Sequence, residues 1–328
     1  MRKKSMLAFG ALSSALVLAA CGSNSEPAAE GMTVVSTTTV LGDVAGQIAT
    51  CGGAEAVTLM PIGTDPHDFS PSSEQVATLV SADLVVANGL GLEQGLEQAL
   101  ESAETDGAPV MHVAELVDPL PFGAGDHADE AHAEEEGDEA ADEHGHGSED
   151  PHFWLDMDRM ARAAELIGER LAATTGNSNF ISCGAEVAAE IRDAEAGMIS
   201  TLDLVPQDRR ILVTDHDAFG YFADRYGYEI AGTVIPGGST LGSPSSAELA
   251  DLVTTMQAEG VNTIFANTAE PETLADAVAA ELSTAENSVA VQVIPLYVGS
   301  LGESGSGADT YIGMMSTNAQ LISEGLNR

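Results

Sequence analysis

The sequence predicts an α/β protein of two similar lobes with parallel-rich sheets, joined by one long connecting helix. Three observations predict it. Strand-like and helix-like stretches alternate through the first half of the 328 residues, and they alternate again after residue 206. Between the two series, residues 179–205 carry apolar side chains at helical spacing (Ile181, Val187, Ile191, Met198 and Leu202) with no proline until Pro206. At roughly 1.5 Å per residue such a helix reaches roughly 40 Å, enough to run the length of two small domains.

In chain order, residues 32–36 form a β-branched run, followed by a helical stretch over 41–50 and a second short strand over 57–60. The Ser72-Ser73-Glu74 start caps a helix that runs to Val80, and 84–88 is a third strand. His112 lies in a further short apolar strand, V-M-H-V, and reads as structural. Residues 123–150 interrupt the pattern with many Asp and Glu, few large apolar side chains, and His127, His132, His144 and His146. A segment of that composition cannot bury enough surface to fold, so it reads as a mobile loop whose histidines capture zinc loosely, as an accessory site. Asp156 or Asp158 then caps a helix over 159–173, and strands are expected at 211–214, 229–234, 263–266 and 289–297. The resulting division is an N-terminal lobe over 32–178, the connecting helix over 179–205 and a C-terminal lobe over 206–328.

The first twenty residues read as a secretory signal: Arg2, Lys3 and Lys4, then an apolar run from Met6 to Ala20 too short to span a bilayer comfortably. The run ends in Leu18-Ala19-Ala20-Cys21, which resembles a bacterial lipobox, so Cys21 is expected to be lipidated and to anchor the chain outside the cytoplasmic membrane. Residues 21–31 then serve as lipidated start and tether. Cys51 and Cys183 remain as an even pair in an oxidising compartment, candidates for a disulfide whose geometry the sequence does not place. A formal net charge of -41, with Lys3 and Lys4 the only lysines, argues against nucleic-acid binding.

Three histidines carry the chemistry. His67 sits in T-D-P-H-D-F-S-P, His152 in E-D-P-H-F-W-L-D and His216 in V-T-D-H-D-A-F-G-Y-F. Each is offered from a turn or strand end beside a carboxylate that can hold the ring's other N–H, the setting in which neutral imidazole binds zinc. His67 falls in a loop beyond the end of a strand, where ligands gather in parallel α/β sheets. Converging from both halves, the three would form a metal site in the interlobe cleft.

The lipobox, P-H-D-F-S-P, the acidic His-rich insert, D-P-H-F-W-L-D, H-D-A-F-G-Y-F-A-D-R-Y-G and the ending A-D-T-Y-I-G-M-M together resemble one family over nearly the whole mature chain. It is the metal-specific solute-binding proteins of ABC transporters, the ZnuA-like or TroA-like group. The resemblance implies two α/β lobes, a connecting helix, metal bound in the cleft, and delivery to a membrane permease with its cytoplasmic ATPase, by a monomer. It also implies that His67, His152 and His216 are the three principal ligands. Manganese-selective members usually carry a carboxylate at the position of His216; a third imidazole shifts preference toward Zn²⁺ as cargo, with manganese or ferrous iron as the alternative. Two positions depart from the family. Where many members place an aspartate ligand, this chain has Gly299 in L-Y-V-G-S-L-G, and a frequent glutamate is replaced by Asn267. Some zinc members also have a carboxylate just before the first histidine, where Pro66 stands here. The fourth position is left to water, a loop histidine or an acid such as Glu303.

Three histidines and a water also describe an open catalytic zinc site. No H-E-x-x-H or similar pair supplies a general base, so the chain reads as non-enzymatic capture and handover. A surface adhesin or metal-buffering lipoprotein is the remaining rival.

Overall fold

The computed structural model describes residues 31–123, 149–270, 273–284 and 291–328. The expected signal segment, Cys21, and the loop histidines His127, His132, His144 and His146 lie outside them. In the first lobe, β1 (Thr33–Ser36), α1 (Thr39–Gly52), β2 (Glu55–Thr58), α2 (Ser73–Val80), β3 (Leu84–Ala87), α3 (Glu97–Thr105) and β4 (Val110–His112) follow one another, and α4 (Met157–Thr175) packs back against them. α5 (Asn179–Leu202) crosses to the second lobe, built from β5 (Ile211–Thr214), α6 (Gly220–Tyr226), β6 (Glu229–Thr233), α7 (Ser246–Glu259), β7 (Thr263–Asn267), α8 (Thr273–Thr284), β8 (Gln292–Leu296) and α9 (Tyr311–Leu326). The two sheets have equivalent orders, β2-β1-β3-β4 and β6-β5-β7-β8, and every pairing within them is parallel.

Alternation along the strands sorts side chains to the two faces of each sheet. Val35 and Val85 turn outward onto α2 and α3, and Val213 and Ile264 onto α7 and α8, in two separate clusters. Val34 and Val86 turn inward, as do Leu212 and Phe265 in the other lobe, and all join one buried cluster running through α1, α4, α5, α6 and α9. One core therefore spans both lobes. α5, about 36 Å long at 1.5 Å per residue, lies inside it. It crosses α4 closely, because Gly168 and Gly184 face each other: a Cβ on Gly184 would come within 2.6 Å of the Ala164 carbonyl oxygen. Cys51 at the end of α1 and Cys183 in α5 form a disulfide with Cα atoms 5.9 Å apart, stapling the connecting helix to the first lobe. At the other end Glu195 of α5 takes a two-pronged ion pair from Arg225 of α6 at 3.0 and 3.1 Å, and the Tyr226 hydroxyl donates to it.

Two elements differ from the sequence expectation. The second strand sits at Glu55–Thr58 rather than 57–60, because it is an edge strand whose four side chains are exposed and give no apolar pattern to align on. Helix α3, which the pattern did not signal, buries little beyond Leu100 and Ala103. Helices α6 to α9 were expected only as part of the second alternation, without bounds. Elsewhere the differences are at element ends: Thr38 caps α1, so it starts at Thr39, and of the two aspartates it is Asp156 that caps α4. Ser72 and Gln75 form a reciprocal capping box at the start of α2. Among the described residues no helix is long and apolar enough to cross a membrane.

Candidate metal centre

His67 stands on the loop after β2, and Pro66, with its restricted backbone, stiffens the turn that presents it. The Asp65 side chain closes this turn by accepting the His67 backbone N–H at 3.1 Å. The same tripeptide recurs at 150–152, and Asp150 Oδ1 accepts the His152 backbone N–H at 2.9 Å. There the carboxylate also reaches the ring, with Asp150 Oδ1 2.7 Å from His152 Nδ1. His216 follows β5 directly, and Asp215 Oδ2 lies 3.2 Å from its Nδ1.

The loops bring the three rings together from two lobes. Their ring centroids are 5.2 to 5.5 Å apart in all three pairings, and one ligand nitrogen from each lies within 4.8 Å of the others. All three residues are at most 2 % exposed. His67 Nε2 and His152 Nε2 approach to 3.3 Å. With Nδ1 of His152 donating to Asp150, the lone pair on its Nε2 faces the cluster, the tautomer a metal ligand needs. His216 Nε2 is buried with no hydrogen-bond partner among the described residues. Burying such an atom is unfavourable unless something accepts its lone pair, and a divalent cation among three converging imidazoles does so. The donor set fits a metal.

The aspartates behave differently from one another. Burial pushes the Asp150 carboxyl up to about 7, against the His152 backbone hydrogen bond and the charge of His216, which pull it down. Burial pushes the His216 imidazolium down, but Asp215 above all, with Asp65 and Asp217, outweighs it, and the net shift is upward. A carboxylate holding the imidazole N–H was expected beside each histidine. At His67 Asp65 instead takes the backbone N–H, because its second oxygen accepts the hydroxyl of Thr240 from the other lobe.

Of the other candidates, His112 ends β4 away from this cluster, with Nε2 3.1 Å from Glu104. Glu303 is exposed on a loop and is not part of the buried cluster, which removes it as a fourth ligand. Gly299 and Pro66 fit together: a Cβ on Gly299 would lie 2.7 Å from Pro66 Cδ, so the proline ring occupies the space a side chain there would take. Asn267 is buried, accepting the Ala269 N–H at 3.1 Å through Oδ1. Thr240, which reaches Asp65 from the second lobe, went unread in the sequence. Nothing local marks a threonine 175 residues away as the partner of an aspartate.

A family model described as zinc-uptake complex component A, periplasmic, matches residues 34–325. The chain belongs to this family. It is thus a metal-binding solute-binding protein of an ABC transporter, with no enzymatic role. Among curated relatives, the manganese-binding lipoprotein MntA of Halalkalibacterium halodurans is 26% identical over 99% of this chain and 100% of its own. The zinc-binding protein TroA of Treponema pallidum is 27% identical over 92% of each chain. The solved structure of the periplasmic zinc-binding protein TroA from Treponema pallidum superposes with a TM-score of 0.75 at 25% identity, covering 90% of this chain and 99% of that one.

Proposed function

We propose that this protein captures Zn²⁺ through His67, His152 and His216 and hands it to a membrane permease driven by a cytoplasmic ATPase. The observation that carries the reading is the all-nitrogen inward donor set. Three buried imidazoles meet where the family resemblance would allow an oxygen ligand, and Gly299 and Asn267 offer no carboxylate. Nitrogen ligands in a closed, near-tetrahedral space suit Zn²⁺, whereas Mn²⁺ favours oxygen-rich, higher-coordinate sites. Because one core runs through both lobes, release proceeds by local loosening of the cleft rather than by wide hinge opening. Lipid on Cys21 holds the protein, as a monomer, outside the cytoplasmic membrane, and the acidic segment with His127, His132, His144 and His146 collects zinc for the cleft.

The test offers equimolar Zn²⁺ and Mn²⁺ to metal-free protein at neutral pH and counts bound metal by mass spectrometry, with and without residues 125–147. One zinc held tightly in both forms, and lost in His216→Ala, is the expected result. Preference for manganese overturns the cargo assignment, and loss of tight binding with the deleted segment overturns the site.

A further inference from the structure

Two ties from the second lobe converge on the loop that carries His67. The Gly63 N–H donates to Ser300 Oγ at 2.8 Å, and the Thr240 hydroxyl donates to Asp65 Oδ2. Thr240 and Ser300 stand on the loops that follow β6 and β8, at the carboxyl ends of strands of the second sheet. Asp65 is the only one of these contacts to touch the His67 backbone as well, through Oδ1 at 3.1 Å. Its carboxylate thus spans from the ligand's own turn to the opposite lobe. Both ends of the bond are shielded, Asp65 being 6% and Thr240 7% exposed, so water competes weakly for it.

The His152 arm is also tied to the second lobe, but through backbone carbonyls, with the Tyr221 hydroxyl donating to the Asp150 carbonyl at 2.8 Å, and not through the carboxylate that holds its ligand. His152 is gripped at both backbone and ring by Asp150, within its own turn. Its neighbour Trp154 is tied into the core, with the indole N–H on the Val298 carbonyl at 3.0 Å and the Tyr311 hydroxyl on the Trp154 carbonyl at 2.7 Å. His216 issues directly from β5. In the His67 arm, by contrast, the carboxylate that bonds the ligand's backbone is the same group that accepts the bond from the opposite lobe.

We propose that Asp65 is a positioning residue, and that its bond to Thr240 is a latch across the cleft that keeps His67 on the cargo and slows its release. This rests on the cleft reading above. A cation left on His152 and His216 alone has lost a third of its protein ligands, so breaking the latch acts on the rate of escape. Capture, which needs all three arms only after encounter, is affected less.

The experiment loads the full chain with Zn²⁺ and follows release into excess chelator by stopped flow, comparing the parent protein with Thr240→Val, Thr240→Ala, Thr240→Ser and, as a control, Thr254→Val on the exposed face of α7. Losing a hydrogen bond to a charged group predicts roughly tenfold or greater acceleration in Thr240→Val. The association rate should match the parent, and Thr240→Ser should restore slow release. Thr240→Ala removes the hydroxyl without adding bulk and should behave as Thr240→Val does. Parent-like release in both hydroxyl-less variants, or failure of Thr240→Ser to restore it, overturns the latch while leaving the cleft reading intact. A parent protein that takes up no Zn²⁺ at the three histidines overturns both.

Discussion

The chain builds the same Asp-Pro-His turn twice, and the two copies serve different ends. At 150–152 the aspartate turns inward on its own histidine, bonding backbone and imidazole with one oxygen, while the Tyr221 hydroxyl donates to the Asp150 carbonyl at 2.8 Å. At 65–67 the aspartate bonds only the histidine's backbone and extends its other oxygen to Thr240 across the cleft. In the first, the carboxylate serves its own histidine, and the tie to the second lobe is made by the Asp150 backbone carbonyl. The second makes the ligand's position depend on the lobes staying together. A local motif therefore fixes how a histidine is presented, and its surroundings decide whether that presentation is rigid or conditional.

The largest effects come from the ligands themselves. Zinc binding shared among a few ligands implies that His152→Ala and His67→Ala each lose on the order of a hundredfold or more in affinity, measured by competition with a chromophoric chelator. The comparison sharpens if residual zinc leaves His67→Ala and His152→Ala at different rates, and it breaks if the two variants are indistinguishable.

The aspartates should differ next. Removing the carboxylate behind a ligating imidazole costs about 10–100-fold in affinity, which is expected for Asp150→Asn. Asp65→Asn should fall short of that, since the imidazole of His67 does not lean on this side chain in the way His152 leans on Asp150. Equal losses in equilibrium dialysis would mean that the two turns support their metals alike. A pH profile adds a sign. The Asp150 carboxyl is raised from 3.8 to about 7 in the folded state, so folding binds its proton more tightly. Its contribution to the stability of the metal-free protein is full below 3.8 and is lost as pH rises through about 7. Thermal melts of Asp150→Asn should show a flatter pH dependence than the parent over that window. Metal affinity runs the other way: with His216 raised above 6.5, protons compete for its ring already above that pH, and binding weakens as pH falls.

The smallest effect is expected at Tyr221, whose hydroxyl accepts the Leu120 N–H at 3.0 Å and donates to Asp150. Tyr221→Phe should lower stability by about 1 kcal/mol in denaturant titration and leave the His67 arm untouched. A change in zinc release as large as that expected of Thr240→Val would show that the first mount depends on its tie to α6 as much as the second depends on Thr240.

Much of this was legible in residue order. Ser72 announces a helix start, and β-branched runs bounded by turns announce β1, β3, β5 and β7, because capping and alternation are local properties of the chain. The three histidines stood out for the same reason, each set in its own short motif. β2 and α3 were less legible because exposed edges and weakly buried helices carry little apolar pattern.

The sequence by itself determined the class of fold, the two lobes and their long helix, and the residues able to bind a metal, since each follows from spacing and side-chain chemistry within a few residues. Only the tertiary structure decided that the three rings meet, that Pro66 fills the space beside Gly299, and that Asp65 serves the opposite lobe rather than its own histidine's ring. Those facts depend on which loops two separate parallel sheets place at one cleft. That placement is set by the packing of a core assembled from both ends of the chain.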